Sequence, residues 1–427
     1  MGEMEKTAGL PRVKSASILV PLLLLVILMA LPGVGLASQP VGSAIAISQE
    51  NEQEVSPSIA YNSQRQEYLA VWYNDRTGCD DIRAQRLRWD GLKIGPPFYI
   101  NAGCPQDRRY PDVVYNSAND QYLVVWEQQD TTNGYSIRAR RVSGLGAVLD
   151  TSDIVIRDDG SIMYTPLKPA VAYDSTTGKY LVVWEEIWHS TITSTIYGQL
   201  LTSSAALDGS RLIVSEGSDA RQQPDLAYNQ HATTYLVVWQ QKNGTVWEVR
   251  ARFVYGDGSL GVGEKDIADA SMLSYTAPAV AASPLGSTDY AFFVVFEHSY
   301  TTSDMLIYGR TVNEYGQHST SYYVMGDLIS YNSSPAVASM DSTNGSYLVV
   351  WRSENALGGS SIQGSLVIAN TWYYPVYEFP GVYTRHPAVA KGWNGDFLVA
   401  WQDMPLTSQN LIGQLWGNRV FLPTVRK

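Results

Sequence analysis

The chain has 427 residues and a formal net charge of −11, because 41 acidic residues outnumber 30 basic ones. Hydrophobic residues make up 45% of it and charged residues only 17%, which excludes an intrinsically disordered chain and favours a large packed core. No Lys/Arg run follows the first few residues, so nucleic acid is excluded as a partner class.

Residues 1–37 are predicted to be a secretory signal peptide. Basic residues precede an apolar run from Ile18 to Leu31, and small residues follow up to Ser38. We expect cleavage after Ala37. The alternative is an uncleaved anchor helix, but the run is shorter than the roughly 20 residues that a spanning helix needs. The sequence therefore predicts a secreted or cell-surface protein with no membrane span after signal removal.

Seven copies of one repeat follow, over residues 38–418. Each copy has a P-x-V-A-Y-like segment and then a Y-L-V-V-W-like segment, and only the fifth copy loses the tryptophan, which becomes Phe296. The second segment is apolar on both alternating faces, which is typical of a strand in the middle of a sheet that is covered on both sides. The copies, and the blade cores that we expect from them, start at Pro57, Pro111, Pro169, Pro224, Pro278, Pro335 and Pro387.

Two further strands are predicted in each copy. The third carries a small residue at a fixed place, which we interpret as room for a bulky side chain of an adjacent strand or blade. These small residues are Ala84, Ala139, Gly198, Ala251, Gly309, Gly364 and Gly413. The fourth is less regular and is expected at 98–101, 154–156, 212–214, 266–268, 322–324 and near 373–377, with none clear after Leu415.

The strand that the last copy lacks is expected from the other end of the chain. The segment Ala44 to Ser48 precedes the first repeat at the spacing of a fourth strand, and pairing it with the last copy would hide both edges of the array. Arg419 to Leu422 is an alternative closing strand. The sequence thus predicts an all-β, seven-bladed β-propeller of four-stranded blades, closed by an N-terminal strand and followed by a tail at 419–427.

The motifs P-x-V-A-Y, Y-L-V-V-W and I-Y-G-Q-L resemble the repeats of secreted bacterial β-propeller proteins, and are distantly similar in pattern to the sialidase-like superfamily. The resemblance covers the mature chain and implies the fold, but a fold does not specify a function. The Asp box of sialidases, S-x-D-x-G-x-T-W, is absent from every repeat.

The two cysteines, Cys79 and Cys104, are expected in loops on one face of the first two blades. In an oxidising compartment such a pair is more often a disulfide than two free thiols, which is the alternative. Neither cysteine belongs to a C-x-x-C pair with zinc-ligand spacing, and no loop has the EF-hand pattern. We therefore expect no metal and no cofactor.

Candidate ligand-binding residues lie just before the blade-starting prolines, in loops expected to meet at the mouth of the central channel. Guanidinium groups there would bind a carboxylate or sulfate bidentately, as the arginine cluster of a sialidase does. The alternative is solvated arginines paired with local acids such as Asp107 and Asp219. The candidates are Arg109, Tyr110, Arg221, Arg385 and His386.

Acidic and aromatic residues outside the repeat core give weaker signals. Acids after the repeated tryptophans are interpreted as rim residues, because repeat-equivalent charges usually have repeat-equivalent structural roles. Exposed aromatic rings could stack on sugars or pack on outer strands. The acids are Asp75, Glu127, Glu185, Glu186, Glu297, Glu354 and Asp403, and the aromatic residues are Trp188, Trp247, Trp372, Tyr373, Tyr374 and Trp393.

Two functions fit these patterns. The regular repetition favours a non-enzymatic binding or scaffold propeller, a monomer with no catalytic residue, which recognises a polysaccharide, peptide or protein at its loop face. The alternative is a glycan-active enzyme of sialidase-like descent. Such an enzyme would bring Arg109, Arg221 and Arg385 together beside a carboxylate.

Overall fold

The structure is a computed structural model. It describes residues 39–417, apart from 50–52, 77–78, 131–133, 159, 192, 270–272, 285–289, 300–303, 328, 341–344, 369–374, 382 and 405–409. The expected signal peptide (1–37), the alternative closing strand (419–422), the tail (419–427) and the aromatic patch at 372–374 lie outside the described residues. Within the described part, no helix has the length and apolar character to cross a membrane.

The described strands form five four-stranded antiparallel sheets and one eight-stranded sheet, in which a single parallel bridge between Met305 and Tyr331 joins two four-stranded antiparallel units. These seven four-stranded units are the blades. Blade 1 consists of β2 (Gln53–Asn62), β3 (Glu67–Asp75), β4 (Asp81–Arg88) and β5 (Lys93–Asn101). Blade 2 consists of β6 (Asp107–Asn116), β7 (Gln121–Asp130), β8 (Gly134–Ser143) and β9 (Ile154–Arg157). Blade 3 consists of β10 (Tyr164–Asp174), β11 (Lys179–Trp188), β12 (Thr193–Leu201) and β13 (Leu207–Ser215).

The remaining blades repeat this order. Blade 4 consists of β14 (Arg221–Asn229), β15 (Thr234–Asn243), β16 (Val246–Tyr255) and β17 (Lys265–Ala268). Blade 5 consists of β18 (Tyr275–Ala282), β19 (Phe292–Ser299), β20 (Met305–Val312) and β21 (Tyr323–Met325), and blade 6 of β22 (Tyr331–Ser339), β23 (Ser346–Glu354), β24 (Ser360–Ile368) and β25 (Tyr377–Phe379). Blade 7 consists of β26 (Arg385–Lys391), β27 (Phe397–Asp403), β28 (Asn410–Gly417) and β1 (Gln39–Ser48).

The ring is closed by the first described strand. β1 pairs antiparallel with β28, with Ile45 opposite Gly413 and Ser48 opposite Leu411. The innermost strands touch their neighbours in blade order, and β2 also touches β26. The predicted all-β propeller of four-stranded blades with N-terminal closure is therefore confirmed, and its described strands group into seven blades. The described residues include one short 3-10 helix, Trp393–Gly395, and no α-helix.

The core lies between the blades. Six of the repeated tryptophans and Phe296 are fully buried. Each buried cluster combines side chains of two adjacent blades, as where Leu69 and Val71 of blade 1 pack with Tyr122 and Trp126 of blade 2. Each blade therefore needs a neighbour to bury its apolar face, and the closed ring supplies one to all seven.

The small residues of the third strands fill the role inferred for them. A Cβ atom added at Gly309 would lie 2.6 Å from the ring of Phe293, and one added at Gly413 would lie 2.8 Å from Ile47. At Gly364 the nearest atoms belong to Phe379, Val350 and Trp416, at 3.1 to 3.3 Å. Side chains of neighbouring strands and blades thus occupy the space that these residues leave open.

We expect Gly309→Ala to lower the free energy of unfolding by about 1–3 kcal/mol, because the added methyl group overpacks a rigid buried ring. The matched control is Gly198→Ala at the equivalent place in blade 3, where the nearest atoms lie at an ordinary 3.4 Å. Urea denaturation measures both. Equal losses in the two variants would contradict the packing role of Gly309.

Each innermost strand begins upstream of its proline and contains a β-bulge. The residue before the proline has a positive φ between 47° and 54° in all seven blades, although none of the seven is a glycine. At this place the register shifts by one residue, for example between Arg109 and Asp112. Proline cannot donate to the ladder, so it is accommodated at a bulge on the channel-facing edge of the sheet.

Two further expectations concern the disulfide and the fourth strand of blade 6. Cys79 and Cys104 form the predicted disulfide, with their Cα atoms 5.1 Å apart. The fourth strand of blade 6, expected near 373–377, lies instead at Tyr377–Phe379. The expected position was too far upstream because it relied on the aromatic residues that precede the strand. The observed strand places Phe379 opposite Ile362, and Phe379 is buried.

Candidate functional site

The seven innermost strands surround a central pocket of about 540 Å³. It is lined by the seven prolines, the residues before them and most of the residues after them. The bulge determines this arrangement, because it turns the residue before each proline towards the mouth. The second residue after each proline also lines the pocket, so the repeat builds one cavity from seven copies of the same four positions, with Ala170 as the one exception.

Two acidic residues break the symmetry of this wall. The position after the proline holds Asp112 in blade 2 and Asp225 in blade 4, and both line the pocket. The other five blades carry small residues there: Ser58, Ala170, Ala279, Ala336 and Ala388. Repetition explains a ring of small residues, but it does not explain two carboxyl groups on one side of the ring.

Each aspartate bridges to the next blade. Asp112 accepts hydrogen bonds from Ser58 Oγ at 2.7 Å and from the backbone N–H of Val171 at 2.8 Å. Asp225 accepts from the N–H groups of Val280 and Leu226, each at 2.8 Å. These bonds fix the orientation of both carboxyl groups.

Enclosure by the inner strands raises the pKa of both aspartates. For Asp225, loss of hydration is the largest cause, the charge of Asp112 adds to it, and together they raise its pKa to about 7. For Asp112, burial raises the pKa while the hydrogen bond from Ser58 and the N–H bonds oppose it. At neutral pH, Asp225 therefore retains a substantial protonated fraction beside a second carboxyl group.

The mouth of the pocket is also asymmetric. Blades 2 to 4 contribute the large polar side chains Tyr110, Lys168 and Gln223, and blade 7 contributes His386, whereas the remaining blades contribute Ser56, Ala277 and Ser334. Lys168 Nζ lies 5.8 Å from the centre of the Tyr110 ring. Burial, with the charges of Arg385, Arg352 and Lys168, lowers the pKa of His386 to about 4, so its imidazole is neutral at physiological pH.

Glutamates behind the wall hold the bulges in place. Glu127, Glu185 and Glu297 each accept a hydrogen bond from the backbone N–H of the residue before the next blade's proline, at 2.8, 2.6 and 2.8 Å. Burial is the largest cause of the raised pKa of each, which for Glu127 reaches about 7. The same hydrogen bond thus recurs in three blades, which is the structural role expected for these acids from the sequence.

The sequence-based candidates separate into two groups. Tyr110 and His386 line the pocket, whereas the three arginines are not among its lining residues. Arg109 pairs with Asp80, and buried Arg221 donates to Ser215 Oγ and to the carbonyl of Asp219, both at 2.7 Å. Arg385 is exposed at the start of β26. The three arginines therefore do not meet in this pocket.

Asp112, Asp225 and Lys168 were missed by reasoning from the sequence. The signal was present in the repeat alignment, where P-D replaces P-S or P-A in two copies. The acids that follow the repeated tryptophans are more regular in the sequence and gave the stronger pattern. Those positions face the neighbouring blade, whereas the residues that flank the prolines face the pocket.

Comparison with protein-family models and with curated proteins gives no match. Solved structures do match. The chain is similar to the GH93 α-L-arabinofuranosidase of Fusarium graminearum in complex with arabinobiose, with 11% identity over 88% of this chain and 97% of that one and a TM-score of 0.51. The α-L-arabinanase of Penicillium chrysogenum is 13% identical over 90% and 100% of the two chains, with a TM-score of 0.49. Identities this low establish only the shared propeller fold.

The expectation of a non-enzymatic binding or scaffold propeller is wrong. A propeller that the chain resembles over most of its length, the GH93 arabinofuranosidase, is a glycan-active enzyme. The physical reason for the error is that the repeats look symmetric only at their buried positions. At the pocket wall the symmetry is broken by Asp112 and Asp225.

Proposed function

We propose that the protein is a glycan-active enzyme that hydrolyses a glycosidic bond in the central pocket. The observation that carries the proposal is the presence of Asp112 and Asp225, two carboxyl groups with raised pKa values, in one pocket. Glycoside hydrolysis uses two carboxyl groups, one protonated and one ionised. The names of the propellers that share the fold, and the distant sialidase-like resemblance, support the same class of substrate.

The two aspartates take different roles. Asp225, with its pKa near 7, donates a proton to the oxygen of the leaving group, because it retains that proton at neutral pH. Burial raises the pKa of Asp112 as well, but hydrogen bonds from Ser58 and Val171 oppose that rise, and the charge of Asp112 adds to the burial that raises the pKa of Asp225. Asp112 is therefore the carboxyl group that ionises first, and it acts as the base or the nucleophile. Tyr110, Lys168 and neutral His386 bind the sugar at the mouth.

We also place the protein outside the cell as a monomer. The basic and apolar character of residues 1–37 supports export. The disulfide between Cys79 and Cys104 is of the kind that persists in an oxidising compartment.

A substrate screen tests the proposal. Residues 38–427 are incubated with aryl glycosides and with linear polysaccharides, and released aryl alcohol and reducing ends are measured. We expect hydrolysis of at least one substrate, and its loss in the Asp112→Asn, Asp225→Asn double variant. Asp257→Asn is the control, because Asp257 is an exposed acid in the loop between β16 and β17 and does not line the pocket. Activity that survives the double substitution, or a failure to hydrolyse any substrate, would contradict the proposal.

A further inference from the structure

An aromatic and apolar surface lies on blade 3, where β10 begins and β11 ends. It consists of Ile162, Met163, Tyr164 and Trp188, and we refer to it as the blade 3 platform. Ile162, Met163 and Trp188 have exposed fractions of 71%, 46% and 44%. Tyr164 is directly opposite Trp188 in the register of the two strands, so both side chains lie on one face of the sheet.

Ring stacking and a fixed arginine hold the side chains of the platform in place. The rings of Tyr164 and Trp188 stack with their centres 6.0 Å apart and their planes 27° from parallel. The guanidinium group of Arg157 lies 5.9 Å from the centre of the Tyr164 ring. Arg157 is itself fixed by buried Glu186, with its Nε 2.6 Å from the carboxylate. The exposed rings therefore lose little conformational entropy when a ligand binds.

The platform is also a departure from the repeat. In the sequence, the position four residues after the conserved tryptophan is Trp188 in blade 3 and Tyr300 in blade 5, whereas the other five copies have no aromatic residue there: Arg76, Asp130, Asn243, Asn355 and Pro405. Polar residues suit the end of an exposed strand pair. Trp188 is the only tryptophan among the seven equivalent positions of the sequence.

The platform is close to the central pocket. Tyr164 and the pocket residue Lys168 lie on the same strand, β10, about 13 Å apart at roughly 3.3 Å per residue. A single extended molecule that occupies the pocket from the mouth can therefore reach the platform. Blade 3 also lies between the two blades that carry Asp112 and Asp225.

We propose that the blade 3 platform is a second glycan-binding site, which stacks on a sugar ring of a polysaccharide whose neighbouring units enter the pocket. The choice of a glycan rests on the proposed function. Aromatic faces beside fixed charged donors suit a sugar, whose ring is apolar on its faces and polar at its edge. A stable protein partner would need about 800 Å² on each side, far more than these four residues supply.

Affinity electrophoresis tests this inference without relying on catalysis. Native gels contain soluble linear arabinan, xylan or mixed-linkage β-glucan, and retardation of the Asp225→Asn protein and of the wild-type protein gives a dissociation constant. We expect retardation by at least one of these polysaccharides and a rise in the dissociation constant of about 3- to 10-fold on Trp188→Ala. Tyr315→Ala is the matched control, because Tyr315 is 66% exposed in a loop of blade 5, outside the platform.

Three results would overturn the inference. They are unretarded migration of both parent proteins in all three gels, equal retardation of the Trp188→Ala variant and its parent, or an effect of Trp188→Ala on oligomeric state alone. Retardation that depends on Trp188 in a protein that hydrolyses no substrate would leave the platform established and the proposed enzymatic function wrong.

Discussion

Replacing Asp225 with Asn is expected to lower kcat by roughly 10²- to 10⁴-fold, the range over which a positioned proton donor contributes. The amide keeps the shape of the side chain, and its oxygen can still accept the hydrogen bond from Val280, although its NH2 group cannot accept the one from Leu226. The substitution therefore removes the proton and leaves the bridge between blades 4 and 5. Steady-state hydrolysis of the best substrate from the screen measures the effect.

The pH profile separates this role from a structural one. Because the pKa of Asp225 is about 7, wild-type activity is expected to fall as the pH rises through 7 and the acid loses its proton. The residual activity of Asp225→Asn should lack that alkaline limb. A variant that keeps the limb, or one that retains full kcat, would assign proton donation to another group.

Stability gives an independent measurement on the same variant. The folded protein holds a proton on Asp225 up to about pH 7, whereas an unfolded Asp loses it near pH 4. Between these values the folded state binds more protons, so the contribution of Asp225 to stability declines as the pH rises and is lost above its folded pKa. The free energy of unfolding of Asp225→Asn minus that of the wild type is therefore expected to be larger at pH 8 than at pH 4.

The buried parts of the repeat made the fold predictable. Trp184 and its equivalents recur at the same place in copy after copy, and Gly309 and Gly413 occupy positions where any Cβ would meet a neighbouring side chain. Such positions constrain the sequence through packing, which acts alike in every blade. The closing strand was also predictable, because the spacing of Ile47 from Pro57 repeats that of Val214 from Pro224.

The site was less predictable, because it depends on a backbone feature that local rules disfavour. A residue before proline usually adopts an extended conformation, yet Tyr110 and His386 have φ values of 49° and 48°. That bulge decides which side chains face the pocket. The bulge is not visible in the sequence, so Arg109 and Arg385 were expected to lie as close to the channel as Tyr110 and His386. For the same reason, the sequence did not mark Asp112 as more than ordinary variation among the residues that follow the prolines.

Removal of the closing strand is expected to have the largest effect on stability. Deleting residues 39–49 removes β1, which pairs with β28. The deletion therefore exposes an unpaired strand edge on blade 7. It also removes Ile47, which is fully buried against Gly413. We expect the deleted protein to aggregate, and the milder Ile47→Ala variant to lose about 2–5 kcal/mol of unfolding free energy. Size-exclusion chromatography and urea denaturation measure the two effects.

Deletion of residues 419–427 is the control, since that segment holds the alternative closing strand at 419–422. Because β28 is already paired with β1, this deletion is expected to leave the elution volume and the urea midpoint unchanged. The opposite outcome, a stable protein without residues 39–49 and an aggregated one without 419–427, would show that the C-terminal segment closes the ring. Loss of stability in both proteins would mean that blade 7 needs both ends of the chain, and that closure by β1 alone is insufficient.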